Sequence, residues 1–351
     1  MENYKKNRNY YIDFIRGLAA ISVILIHTTF HSGTYYVPKI VQEFTLLFDV
    51  PVFIFLAGWA YSYVQDQKKY IKGLISLHFK HCIYLVIIFI LILIANIWIQ
   101  IPNPINIKNL LDWITYKYSR TNPFPSVKNS LWFFPMYLVV AFSALAIINF
   151  TKRNTLKAIC ILSVFAILIN YLNPALYNVQ IALGVDSQTF IFYLFFFLLG
   201  YLQKDSNLSL KIFLGLNIMN ILLLITLYKF EQIQIFEMQK NKFPPNIIYL
   251  IWSLFGIYTI IFLKKYFKNL SHKNPLVKLG QNAIYIFFAQ GISSSLLYYI
   301  HPKITLIWYW KIPLMFIINL ILAILIMFIL KFIIELILKL PNKLHINNRN
   351  Y

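Results

Sequence analysis

The stretch Tyr10 to His31, YYIDFIRGLAAISVILIHTTFH, is apolar yet carries Asp13, Arg16 and His27. An ionisable side chain inside a bilayer span is costly and by default marks a functional site. Arg16 and His27 are 11 residues apart, which at ~100° per residue brings them to within about 20° of each other, roughly 16 Å apart along the axis. One helix face therefore offers a guanidinium near one membrane surface and an imidazole near the other. A guanidinium meets phosphates through paired N–H donors, and an imidazole, titrating near neutrality, suits a general base. Plainer roles are open to both: Arg16 as an interfacial snorkeller helped by Asp13, and His27 as an inter-helix hydrogen-bonding group. A carboxylate to orient the imidazole is expected close by. Asp49 reaches a comparable depth if the second span runs back from about residue 44, and Glu43, one turn shallower, is the second choice. Asp49 also suits a helix start ahead of Pro51.

Other chemistry is sparse. No Gly-rich or Walker-type phosphate loop is present, which disfavours a nucleotide-driven pump, and no Gly-x-Ser-x-Gly elbow points to a covalent serine. Cys82 and Cys160 lie in or beside apolar runs and read as packing residues, with no zinc or disulfide framework, so no metal is expected. His78 and His81, flanked by Lys72 and Lys80, read as an interfacial helix end. Ile101 to Asn129 is the longest connection, and Trp113, Tyr116, Lys117, Tyr118 and Arg120 within it suit a sugar or an interfacial aromatic belt. A second loop, Glu231 to Pro245, holds Lys240, Lys242 and a Pro-Pro pair, fitted to acceptor contact or to loop shape.

The elements that must position these groups are membrane spans. Hydrophobic residues make up 60% of the chain and charged ones 12%, against about 45–50% and ~25% in soluble proteins. Runs long enough to cross a bilayer fall at about 11–30, 44–64, 79–101, 130–150, 156–172, 189–203, 210–228, 246–263, 281–299 and 307–338. The runs at 156–172 and 189–203 are short, and residues 175–184 could dip into the membrane. The expected fold is an all-α polytopic membrane protein, a bundle of about ten transmembrane helices. Lys5, Lys6 and Arg8 superficially resemble a secretory signal, but the following run is long, contains Arg16 and lacks a small-x-small cleavage site, so it is read as a retained first span. With the N-terminus inside, Lys and Arg favour the inner segments roughly two to one, which places both termini in the cytoplasm. The net charge of +21 then reflects this bias and contact with anionic lipid, and gives no support for nucleic-acid binding. Residues 1–340 read as a single transmembrane domain and 341–351 as a short polar tail.

The Asp13-x-x-Arg16-Gly17 motif, the Arg16 to His27 spacing and the aromatic run VPVFIFLAGWAYSY at 50–63 resemble the acyltransferase-3 family of integral membrane O-acyltransferases. Weaker likenesses follow in SLWFFPMYLVVAF at 130–142, FYLFFFLLGYL at 192–202, NKFPPNIIYLIWSLFG at 241–256 and LGQNAIYIFFAQ at 279–290. The chain departs from the family pattern at Ala57, Ala283 and Gln290. The resemblance implies an O-acetyltransferase of the plasma membrane, with acetyl-CoA as cytoplasmic donor and a hydroxyl of a cell-surface polysaccharide or lipid-linked saccharide as acceptor. Acyl transfer needs a base for the hydroxyl proton and a stabiliser for the oxyanion. His27 is the expected base, Arg16 the donor-binding or structural cation and Asp49 a helper. The rival reading is a transporter or flippase of a lipid-linked saccharide with Arg16 and His27 lining its path, although the broken helices in paired repeats that transporters favour are not evident. A structural component of a polysaccharide synthase, a third reading, would make His27 dispensable.

Overall fold

A computed structural model describes residues 8–64, 66–99, 105–118, 124–174, 179–204, 206–231, 237–267 and 269–347. The helices are α1 (Tyr10–Phe30), α2 (Lys39–Thr45), α3 (Val50–Val64), α4 (Gln67–Ile99), α5 (Ile107–Ile114), α6 (Pro125–Leu131), α7 (Phe133–Phe150) and α8 (Arg153–Leu172). A short hairpin, β1 (Gln180–Ala182) with β2 (Val185–Asp186), precedes α9 (Ser187–Leu202), α10 (Leu210–Glu231), α11 (Met238–Asn241), α12 (Ile247–Leu263), α13 (Pro275–Gln281), α14 (Ala283–Ile300) and α15 (Trp308–Asn347). Among the described residues, nine helical segments are long and apolar enough to span a membrane. The run at 189–203, expected as a span, is the 16-residue α9, ~24 Å long by helical rise. It lies inside the bundle, with Phe192 through Leu198 buried.

Two glycine crossings fix the interior. A Cβ on Gly58 would lie 1.9 Å from the Phe197 carbonyl oxygen, and one on Gly200 2.0 Å from that of Phe55, so α3 and α9 touch backbone to backbone. The same holds for α1 and α13: a Cβ on Gly17 would lie 2.1 Å from the Leu276 oxygen, and one on Gly280 1.7 Å from that of Asp13. In a bilayer, close packing of small residues replaces the hydrophobic force that drives helices together in water. Around this centre, α10 turns Ile218, Ile221 and Leu222 outward, as lipid-facing helices do.

Two spans are interrupted and a third begins at a break, each beside the cavity described below. The Lys39–Val64 segment breaks at Asp49, which has extended backbone angles between a 3-10 turn and α3. The Pro125–Phe150 segment breaks at Trp132, with Pro135 in the first turn of α7, where its missing N–H is harmless. Asn282 separates α13 from α14. Non-helical backbone at membrane depth is tolerated where it lines a cavity.

Several expectations are corrected. The described part of the connection at 101–129 does not stand free of the bundle but folds back along α4. Trp113 is fully buried against Phe89, the Tyr116 hydroxyl lies 2.6 Å from His78 Nδ1, and that of Tyr118 lies 3.2 Å from His81 Nε2. His81 is fully buried, stacked on Phe134 at 3.8 Å, and so is no surface helix end. The reason is the length of α4: 33 residues span ~50 Å, well beyond a ~30 Å hydrocarbon layer, so the basic first turns clear the bilayer while the histidines fall inside the bundle. Arg120 lies outside the described residues. Of the stretch 175–184, residues 175–178 are likewise outside, and 180–182 belong to the β-hairpin, exposed on the surface of the bundle. The α15 helix is described through Asn347.

Candidate active site

The face of α1 that carries Arg16, Ala20, Val23 and His27 opens on one cavity of about 1120 Å³. The i, i+4, i+7, i+11 spacing is what places all four on one stripe. Arg16 and His27, expected to share a face, do line this single space, and Asp49 lines it too. The cavity is walled by α1, α3, α4, the α6–α7 break, the loop before α12, and α13–α14.

At the Arg16 end, the buried Asp13 carboxylate gathers cations. It accepts hydrogen bonds from Arg8 Nε at 2.5 Å and Arg8 Nη2 at 3.1 Å, and from Gln281 Nε2 at 3.4 Å, and Arg16 Nη1 lies 3.6 Å away. The Gly17–Gly280 crossing brings Gln281 there by pressing α13 onto α1. Arg16 remains 28% exposed in its side chain, so it is held yet open to the cavity. Lys69, Tyr70 and Gly73 of α4 line the same end.

At the His27 end, the His27 ring stands edge-on to His31 at 4.8 Å, and its Nδ1 has no hydrogen-bond partner among the described residues. Asp49, 3% exposed, accepts hydrogen bonds from Lys242 Nζ at 2.6 Å and from the Tyr249 hydroxyl at 2.7 Å. The carboxylate expected to orient His27 is thus engaged elsewhere, and no Asp49–His27 hydrogen bond forms among the described residues. Chain geometry explains this: the break at Asp49 turns its side chain toward α12, whose Asn246 cap sets Tyr249 in the first turn. Glu43, the second choice, accepts the Gln239 N–H at 3.2 Å and fixes the α11 loop that carries Lys242. Lys242 is itself buried, its Nζ 5.5 Å from the centre of the Trp132 ring, a cation–π distance.

Sequence reasoning gave His31, Tyr249 and Gln290 no role in this site, and left Lys242 open between acceptor contact and loop shape. His31 carried a signal, since it falls four residues after His27 on the same face. Lys242, in NKFPP, carried a weaker one: a lysine directly ahead of an aromatic residue and two prolines beside an apolar run. Among the described residues, no group of three or more His, Cys, Asp or Glu side chains is placed to hold a metal.

The arrangement joins a cation-rich mouth to an imidazole beside a fixed buried lysine through one passage, which suits a long, anionic-headed molecule whose reactive end meets His27. No curated protein and no solved structure matches the chain. A family model described as an acyltransferase domain matches residues 9–336. With that match spanning nearly the whole bundle, and the Arg16–His27 stripe at its centre, the chain belongs to the acyltransferase-3 family and is a membrane acyltransferase.

Proposed function

We propose that this protein transfers an acetyl group from cytoplasmic acetyl-CoA to a hydroxyl of a cell-surface polysaccharide or lipid-linked saccharide at the plasma membrane, with both termini in the cytoplasm. The observation that carries the reading is the single cavity lined by both Arg16 and His27. Arg16 and the basic residues around it receive the phosphates of the donor, whose acyl arm runs up the α1 stripe. His27 takes the proton of the acceptor hydroxyl. The hydroxyl oxygen then bonds to the thioester carbonyl carbon, the carbon–sulfur bond breaks, and the sulfur leaves as the thiol with the proton. Lys242 supplies positive charge on the same wall for the developing oxyanion, and Asp49 acts by holding Lys242.

The test is transfer of label from acetyl-CoA into envelope glycan by membranes carrying the wild type or His27→Ala at equal level. Label incorporated by the wild type and reduced about 10²–10⁴-fold in the variant is expected for loss of a general base. Equal incorporation removes His27 from the chemistry. No incorporation by either overturns the acetyl-CoA and glycan assignment and favours transport of a lipid-linked saccharide.

A further inference from the structure

Gln290 stands out in the lining. The residue is 1% exposed, and neither Nε2 nor Oε1 has a hydrogen-bond partner among the described residues. Burying a whole primary amide without partners is costly, and a native structure leaves one so only where something else meets it. Asn170 shows the same deficit, but only Gln290 of the two faces the cavity that holds Arg16 and His27.

Its depth can be read from the helices. Gly280 sits against Asp13 and Gly17, and Asn319 Nδ2 bonds both Thr28 Oγ1 at 2.9 Å and Ser294 Oγ at 3.0 Å. The α13–α14 unit therefore rises alongside α1 in the same direction, with Ser294 level with Thr28. Gln290, one turn below Ser294, lies ~4–5 Å short of His27 and ~12 Å beyond Arg16 along the axis. In an acyl-pantetheine thioester, four single bonds separate the thioester carbonyl carbon from the nearest amide nitrogen, an extended reach of roughly 5 Å at the length per bond of a polypeptide backbone. The arm then offers amide N–H and C=O groups in series, which are the complements of Oε1 and Nε2.

We infer that Gln290 is a donor-binding residue that hydrogen-bonds the amide of the pantetheine arm nearest the thioester, setting the reacting carbonyl beside His27. This rests on the acyl-CoA reading above. Oε1 accepts the N–H of that amide, and Nε2 donates to a carbonyl oxygen farther along the arm. Acyl donors without such amides lose the contact.

The experiment measures binding of CoA, and of a CoA analogue with that amide replaced by an ester, to the purified wild type and to Gln290→Leu, together with the thermal stability of each protein without ligand. The wild type is expected to bind CoA about tenfold more tightly than the ester analogue, and Gln290→Leu to bind both equally and no more tightly than the wild type binds the analogue. Without ligand, Gln290→Leu is expected to melt no lower than the wild type, because an apolar side chain of similar size relieves an unpaired amide. A lower melting temperature with discrimination intact makes Gln290 structural and overturns the inference. Equal binding of CoA and the analogue by the wild type also overturns it while leaving the donor reading standing. Failure of the wild type to bind CoA at all overturns the donor reading and this inference together.

Discussion

The two ends of the cavity handle buried charge in opposite ways. At the Arg16 end, one carboxylate is shared by two guanidinium groups and an amide, and the cations keep much of their solvent exposure: 48% for the Arg8 side chain and 28% for Arg16, against 4% for Asp13. At the His27 end, Lys242 and Asp49 form a closed pair, at 7% and 3% side-chain exposure, and Tyr249 takes up more of the carboxylate. An exposed cation can exchange Asp13 for another anion at little cost, whereas a buried pair loses everything if either member goes. The first end thus leaves its cations open to a second anion, whereas the second holds its charge in a closed pair.

The largest effect should appear when the closed pair is opened. Lys242→Met leaves Asp49 charged and buried with only the Tyr249 hydroxyl, a situation that costs about 3–5 kcal/mol. Thermal unfolding in detergent should show a large fall in midpoint, and Asp49→Asn with Lys242→Met should recover most of it. A double variant no more stable than Lys242→Met alone would mean that the pair is not a closed unit. Opening the other end should matter less. Asp13→Asn removes a shared carboxylate from cations that water already reaches, so the expected loss is about 1 kcal/mol in stability. Its clearer signature is a raised KM for the acyl donor with little change in kcat, since Arg16 loses its hold on one orientation. Equal stability losses in Asp13→Asn and Lys242→Met would break the distinction between the two ends.

How much of this arrangement was legible beforehand follows from the range of each interaction. The Arg16–His27 stripe is a property of one helix, so periodicity alone placed the two residues on one face. The spans themselves follow from apolar runs, and even the break at Asp49 had a local sign in Pro51. The partner of Asp49 did not, because Lys242 is 193 residues away and sits in a loop that reads equally well as solvent-exposed. The re-entry of Trp113, Tyr116 and Tyr118 was hidden for a different reason: the same aromatic residues serve an interfacial belt or a bundle interior, and only the length of α4 separates the cases. Gln290 was visible as a departure from the family pattern, but a missing hydrogen-bond partner exists only once the fold does.

A third ion cluster sharpens the contrast from outside the cavity and should give the smallest effect. Glu237 accepts hydrogen bonds from Lys240 and Lys39, which join the α11 loop to α2. These contacts, that from Lys240 foremost, hold its carboxyl below its ordinary value of 4.5. A depressed folded-state value means that the stabilisation is fully present above the unfolded value and is lost as pH falls through the folded one. The wild type should therefore lose slightly more stability than Glu237→Gln on acidification below about pH 4.5, and the two should converge at high salt, where exposed pairs are screened. At neutral pH the variant should melt close to the wild type, because these lysines are exposed and free to hydrate. If Glu237→Gln instead destabilised the protein as much as Lys242→Met, the loop would owe its position to the surface cluster, and Lys242 would be held in place from outside rather than by Asp49.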